Sequence, residues 1–377
     1  MPDGSMFEDL GNGVTKRQLA TALSPRIQEL IILPTEKCNL RCTYCYEDFA
    51  IGRMKESTQL GLERLMARRV PDLTKLAISW FGGEPLTAQA VVLRLSKYAH
   101  ELCLEHGTDF SGGLTTNAYL LDFDLFEELV SYRQNFYQIT LDGWGSVHDE
   151  VRNFANRKGT FDRIWSNLLA MKNSTAHFEI ILRIHVRREN IDSLPILMVE
   201  LARAFGSDKR FRLDFEHLRD LGGSGGQTVK NGVKIAELYE IEAHLRKVFK
   251  EAAGGAVESD LGEEKNLANL VAKVAGESAG GRRAEEIALN EPYVCYAAKA
   301  NSLLIRANGR IGKCTVAFSD ERNDIGQVNT DGTISIDNEK LQPWIRGLGT
   351  LDLNSLACPL QKMSFMPSTH VATEAVV

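Results

Sequence analysis

The chain of 377 residues sets 44 Lys and Arg against 50 Asp and Glu, a net charge of −6, with 44% hydrophobic residues. That balance excludes a general nucleic-acid binder, which needs a basic face, and supplies enough apolar material for a sizeable core. No apolar run reaches the length of a membrane span, and Met1 to Gly13 lacks the apolar stretch of a signal peptide, so a cytoplasmic location is expected.

A chain this long is expected to hold a large domain and a smaller one. Residues 1–26 read as a loosely packed lead-in, with Gly11 and Gly13 as breakers. Apolar runs then alternate with helical patterns. The runs predict strands over Gln28–Leu33, Lys75–Phe81, Thr108–Thr115, Phe136–Leu141, Phe178–Val186 and Arg210–Phe215. The patterns predict helices from Ser57, as a cap, to Arg69, then over Leu86–Glu105, Asp122–Tyr132, Phe161–Met171, Ile191–Phe205 and Ile235–Ala252. Six strands each followed by a helix predict an α/β fold, a parallel sheet curling towards a partial (β/α)6 TIM barrel over residues 27–252. Barrels of this kind carry their sites at the C-terminal ends of the strands.

Beyond the sixth strand, Leu221 to Gly226 is rich in glycine. It lacks the Gly-Lys-Ser/Thr ending of a phosphate-binding loop and reads as a flexible rim loop. Residues 253–290, rich in Gly, Ala, Glu and Lys, read as a helical linker. From Tyr293 the pattern changes to short strands and tight turns at Asn308-Gly309 and Asp331-Gly332. A small α+β domain is therefore expected over residues 291–377.

The chain has seven cysteines, which in a long chain without a secretion signal point to metal or redox chemistry rather than to a disulfide framework. Cys38, Cys42 and Cys45 fall directly after the first strand, spaced C-x3-C-x2-C. Three thiolates on one short loop suit a soft metal centre, and leave one iron of a cubane cluster without a protein ligand. A zinc site would call for a fourth nearby Cys or His. Cys295, Cys314 and Cys358 form a second group. Cys103 stands alone inside a predicted helix, where a small buried apolar residue is the expected role.

Two stretches carry a resemblance. Cys38 to Cys45, followed by Phe81-Gly82-Gly83-Glu84-Pro85, resembles the signature of radical S-adenosylmethionine (SAM) enzymes. Both stretches fall on the same predicted rim. The resemblance implies that Cys38, Cys42 and Cys45 hold a 4Fe-4S cluster, that SAM binds it, and that Tyr44 packs against the adenine. Gly82 and Gly83 would let backbone approach the ligand, and Glu84 would offer its carboxylate to the SAM amino group. Thr140-Leu141-Asp142-Gly143 and His148-Asp149-Glu150-Val151-Arg152 look like a stretch of the peptide-modifying branch. There the hydroxyl contacts SAM and the acid lies near the substrate, which makes Thr140 a cofactor contact and Asp142 the catalytic candidate. His148 and Arg152 either contribute to that site or brace the loop. Arg183 needs an anion if buried, either the SAM carboxylate or an internal partner. Asn117 ends the third strand as a ligand contact or as a turn former.

Cys295, thirteen residues, Gly309, four residues and Cys314 resemble the opening of SPASM and twitch domains, which hold auxiliary iron–sulfur clusters. The dense later cysteine run of a full SPASM domain is missing. One auxiliary cluster on Cys295, Cys314 and Cys358 is expected, with the fourth ligand open; the alternative is a domain that has lost its cluster.

The resemblance implies a 5′-deoxyadenosyl radical that abstracts a hydrogen atom from an unactivated carbon. The leading expectation is a maturase of a ribosomally made precursor peptide with a leader, installing a crosslink or ring, with a flavodoxin or ferredoxin as electron donor. The alternatives are an anaerobic sulfatase-maturase-like enzyme oxidising Ser or Cys, and a non-catalytic sensor that only binds SAM or the cluster.

Overall fold

The computed structural model describes residues 14–226, 229, 232–254 and 293–363. The predicted helical linker lies outside the described residues from position 255 onward. Six strands, β1 (Ile27–Ile32), β2 (Lys75–Trp80), β3 (Asp109–Thr116), β4 (Gln134–Leu141), β5 (Glu179–Val186) and β6 (Phe211–His217), pair in sequence order. Every one of these pairings is parallel. Parallel strands covered on both faces bury nearly every side chain, hence their continuous apolar runs; β4 buries seven of its eight residues. Helices Glu56–Arg69, Gln89–His106, Phe123–Ser131, Phe161–Lys172, Leu194–Phe205 and Ile235–Ala252 follow the strands. These observations fit the expected partial barrel. One local expectation fails: the first helix is capped at Lys55 without a side-chain bond, so Ser57 lies inside it.

The start of the chain also differs from expectation. Lys16–Leu23 is a helix closed by a capping box, with the Thr15 N–H donating to Gln18 Oε1 at 2.9 Å and the Gln18 N–H to Thr15 Oγ1 at 3.2 Å. Asn301 Nδ2 donates to the Thr21 and Ser24 carbonyls at 2.8 and 3.1 Å. A polar sequence hid this packing because its partner lies far along the chain.

The expected second domain does not begin a new sheet. Strand β7 (Ser302–Ile305) pairs in parallel with β1, placing Glu29 opposite Ser302. Strands β8 (Arg310–Gly312), β9 (Gly326–Val328) and β10 (Ile334–Ile336) continue antiparallel from it. The result is one sheet in the order β10-β9-β8-β7-β1-β2-β3-β4-β5-β6. Gly309 and Gly332 turn the chain in this part with φ of +84° and +85°, a region that favours glycine.

The seam between β1 and β7 is fastened by charge. Lys299 Nζ lies 2.8 and 3.1 Å from the two Glu29 carboxylate oxygens, with both residues buried. Removing one partner of a buried pair strands the other, which costs about 3–5 kcal/mol. Lys299→Met should therefore lower the unfolding free energy by roughly that amount. Adding Glu29→Leu should recover most of it; denaturant titration of the single and double variants checks both.

Candidate active site

The loop that leaves β1 holds Cys38, Cys42 and Cys45, and three neighbours fix its path. At its root, Arg306 makes a two-pronged contact with buried Glu36, with both bonds at 2.8 Å. The turn after β2 lies against it: a Cβ on Gly82 would stand 2.3 Å from the Thr35 carbonyl oxygen, and one on Gly83 2.6 Å from that of Lys37. Gly82 has φ +111°. These glycines thus serve loop-on-loop packing as well as any ligand. From a third side, the Arg41 N–H donates to the Asn153 carbonyl at 2.8 Å and the Thr43 N–H to that of Val151 at 3.0 Å.

One cavity opens among these parts. It is lined by the three cysteines of the loop, by Tyr44, Gly82, Gly83 and Asn117, and by Thr140, Arg152 and Arg183. The structure thereby brings together residues drawn from five separated stretches of sequence, around positions 38–45, 82–83, 117, 140–152 and 183. Of the residues expected around the first cysteine loop, Glu84 and Asp142 are not on that wall. Glu84 is buried beneath it, accepting from Thr116 Oγ1 at 2.8 Å, the Asn117 N–H at 2.7 Å and the Leu86 N–H at 3.0 Å. Its carboxylate joins the ends of β2 and β3, and what the motif offers the cavity is its glycines. Burial pushes the Glu84 carboxyl above the ordinary range, against the pull of those hydrogen bonds.

Asp142 is likewise off that wall. It is fully buried, and Tyr44 donates its hydroxyl to Asp142 Oδ2. His185 Nδ1 lies 3.1 Å from Asp142 Oδ1 and 3.1 Å from the Tyr44 oxygen. Burial opposes its ionisation, but the His185 ring and the Arg152 guanidinium outweigh that and hold the carboxyl below the usual range. The acid thereby orients Tyr44 and His185.

Arg183 finds its anion in the fold, with Nε and a terminal nitrogen both 2.7 Å from Asp214 Oδ2. Register explains this, since β5 and β6 set Arg183 beside Asp214. Asn117 donates to Asn39 Oδ1 at 2.9 Å, tying the end of β3 to the cysteine loop. His148 and Arg152 both brace: His148 Nδ1 accepts the Asp142 N–H at 3.3 Å, and Arg152 donates to the Tyr44 oxygen at 2.8 Å.

His185, Gln138, Glu216 and Tyr46 also line the cavity and were not singled out from sequence. Strand alternation held the signal for two of them. His185 lies two residues from Arg183, and Gln138 two from Thr140, so each shares its neighbour's face. The glycine-rich segment is likewise more than a rim loop. Its Gly225 N–H donates to the Cys45 carbonyl at 3.1 Å, and a Cβ there would stand 2.3 Å from that oxygen.

Among the described residues no three His, Cys, Asp or Glu side chains close around the point of a single ion. The fit to a metal group therefore rests on donor chemistry. Burial pushes the Cys38 and Cys42 thiols up, and that of Cys45 up to about 12. Thiols in this setting ionise when a metal group supplies the positive charge. Three such thiols on one cavity wall fit an iron–sulfur cluster with an open corner.

The second set converges too. Cys295 donates its N–H to the Leu356 carbonyl at 2.8 Å, next to Cys358, and Cys314 follows β8. The three are near enough for charge on Cys314 and Cys358 to act on Cys295. Burial pushes the Cys314 thiol up to about 12. Cys103 is buried in the main core, as expected of an apolar role.

The imidazole of His148 provides a pH test of this framework. To accept the Asp142 N–H its Nδ1 must be unprotonated. Burial, then the Arg152 charge, hold it down to about 4 from 6.5. Between those values the unfolded chain binds a proton that the folded chain refuses. Its stabilising contribution is full above about 6.5 and falls as pH drops through that window, by about 1.4 kcal/mol per unit. His148→Asn keeps an acceptor but cannot titrate. Denaturant unfolding between pH 6.5 and 4.5 should show a shallower loss for this variant than for the native chain, and equal slopes would refute the assignment.

Residues 32–198 match the model of the Radical SAM superfamily. The GTP 3′,8-cyclase of Syntrophomonas wolfei is 30% identical over 190 residues, covering 50% of this chain and 55% of that protein. The sporulation killing factor maturation protein SkfB of Bacillus subtilis is 27% identical over 175 residues, 45% of this chain and 38% of that protein. The matches thus span about half or less of these relatives' lengths. Native anSMEcpe with bound AdoMet and Cp18Cys peptide superposes with a TM-score of 0.59 at 18% identity, covering 84% of this chain and 80% of that one. Streptococcus suis SuiB bound to precursor peptide SuiA gives 0.57 at 15% identity, covering 90% and 73%. At these identities the likeness is one of fold. The three-cysteine loop and the Gly-Gly turn both lie within residues 32–198, the stretch that is similar to the radical SAM superfamily.

Proposed function

We propose that this chain is a radical SAM maturase of a ribosomally made precursor peptide. The observation that carries the reading is the shared cavity wall: Cys38, Cys42 and Cys45 stand with Gly82, Gly83, Tyr44 and Thr140 on one surface. A 4Fe-4S cluster on those cysteines, with SAM at its open corner, would supply a 5′-deoxyadenosyl radical that takes a hydrogen atom from a substrate side chain. The protein's own part is placement and shelter. Gly82 and Gly83 present backbone, and Tyr44 presents a ring whose hydroxyl is pinned by Asp142 and Arg152. Thr140 and Asn117 offer polar contacts at the ends of β4 and β3.

A peptide as substrate is supported by two relatives, a maturation protein and a structure holding a precursor peptide. A crosslink or ring is the modification proposed, with a flavodoxin- or ferredoxin-like donor supplying electrons. Cys295, Cys314 and Cys358 would hold one auxiliary iron–sulfur cluster, the fourth ligand coming from elsewhere. The buried thiols of Cys295 and Cys314, with half-buried Cys358 beside them, support that assignment.

Anaerobic incubation of the reconstituted protein with SAM and a strong reductant should release 5′-deoxyadenosine. Cys42→Ala should abolish that release and lower bound iron. Persistent release from Cys42→Ala would sink the assignment. With a peptide substrate, mass spectrometry should find the loss of a pair of hydrogens, as a ring or crosslink requires.

A further inference from the structure

The segment that follows β4 brings one cation against the cysteine loop. The Arg41 N–H bonds to the Asn153 carbonyl and the Thr43 N–H to that of Val151, at 2.8 and 3.0 Å. These two bonds bracket Cys42 on one strand of chain and Arg152 on the other, so the pair face each other. Arg152 cannot drift from that place. Its own N–H donates to the His148 carbonyl at 2.9 Å, and its carbonyl accepts from Thr160 Oγ1 at 2.6 Å.

The guanidinium is buried yet lines the cavity. One terminal nitrogen is used on Tyr44, and Asp142 lies 3.9 Å from Nε, too far for a hydrogen bond. Nε has no hydrogen-bond partner among the described residues. The charge is therefore only partly neutralised; Arg152 and Cys42 line the same cavity, and the guanidinium favours the Cys42 thiolate against the burial that opposes it. Arg41 offers a contrast: it is also near Cys42, but its exposed side chain is spent on the Cys38 and Leu40 carbonyls. Water and salt screen an exposed charge far more than a buried one.

We propose that Arg152 sets the reduction potential of the iron–sulfur cluster held by Cys38, Cys42 and Cys45. This rests on the cluster assignment made above. A thiolate-bound cluster becomes more negative when it gains an electron, so a fixed cation beside one thiolate favours the reduced form. In a medium of effective dielectric about 20, a unit charge within about 8 Å changes such an equilibrium more than tenfold. Asp142, an anion 3.9 Å from the same guanidinium, works against it. Arg152 is thus a tuning residue, acting through Cys42 without touching the substrate.

The test is a potentiometric titration of the reconstituted, SAM-free protein, followed by the paramagnetic signal of the reduced cluster. The step is the transfer of one electron from a low-potential chemical reductant to the cluster, with no proton exchanged. Arg152→Gln, with native iron and sulfide content, should lower the reduced-to-oxidised ratio at a fixed potential at least tenfold, about 59 mV for a one-electron couple. Arg152→Lys should restore most of the ratio, which a merely structural role would not require. An unchanged potential in a fully loaded Arg152→Gln protein overturns the proposal. Should that variant fail to load, Asp142→Asn decides: it removes the opposing anion and should raise the ratio, and no rise overturns the proposal. If the native protein binds no cluster at all, the functional reading falls and this inference with it.

Discussion

Backbone contact between the cysteine loop and its glycine neighbours is the constraint on which the site depends. A loop carrying three thiols has little apolar surface with which to hold a shape. Here the main chain itself is gripped. Gly82 and Gly83 come within Cβ-excluding distance of Thr35 and Lys37 on one side, and Gly225 does the same to Cys45 on another. The Val151–Asn153 segment then bonds two loop N–H groups. Main chain held by main chain leaves the thiol side chains free to face the cavity. A Cβ at any of these three glycines would push the loop off its seat before it touched a ligand.

The polar groups beneath the cavity form the second layer of the same design. Glu84 gathers two backbone N–H groups and a threonine hydroxyl, and Asp142 gathers Tyr44 and His185 beside Arg152. Buried carboxylates are costly unless their acceptors are filled. Glu84, with its acceptors filled, is a rigid joint between elements that are distant in sequence, and Asp142 joins β4 to Tyr44 and His185. The family motifs thus separate into two kinds of residue. Cysteines, glycines and the tyrosine ring present themselves to the cavity, while the acids set the positions from which they do so.

Much of this was legible in the sequence. Strands β1, β2, β4 and β5 showed as apolar runs because most of their residues are buried, and the rim position of the cysteine and glycine motifs followed from the strand–helix repeat. What stayed hidden depends on partners far along the chain. The helix at Lys16–Leu23 takes its C-terminal contacts from Asn301, and β1 takes Ser302 as a neighbour across some 270 positions of sequence. Arg183 was read as needing an anion, but choosing Asp214 required the β5–β6 register. Acidic motif residues looked like ligand contacts because the sequence gives residue type and order, and burial is a property of the fold. His185 is the opposite case: strand alternation from Arg183 placed it on the cavity face, and the signal was there to be used.

The continuous sheet also changes how the two cysteine sets relate. Had the C-terminal part been a separate unit on a linker, its thiols would be positioned only by a domain interface. Instead β7 is the direct neighbour of β1, the strand that launches the first cysteine loop. Tyr46, one residue beyond Cys45, donates to the Thr315 carbonyl at 3.3 Å and stacks on Phe318, just past Cys314. Arg306, directly after β7, clamps Glu36 at the root of the same loop. Strand pairing, a ring stack and a buried ion pair therefore hold the two thiol groups in one frame. A shift of β7 along β1 would carry Arg306 and Thr315 with it and pull on both ends of the first loop. Separation between the two sets is thus fixed by hydrogen-bond register, which is far stiffer than a hinge.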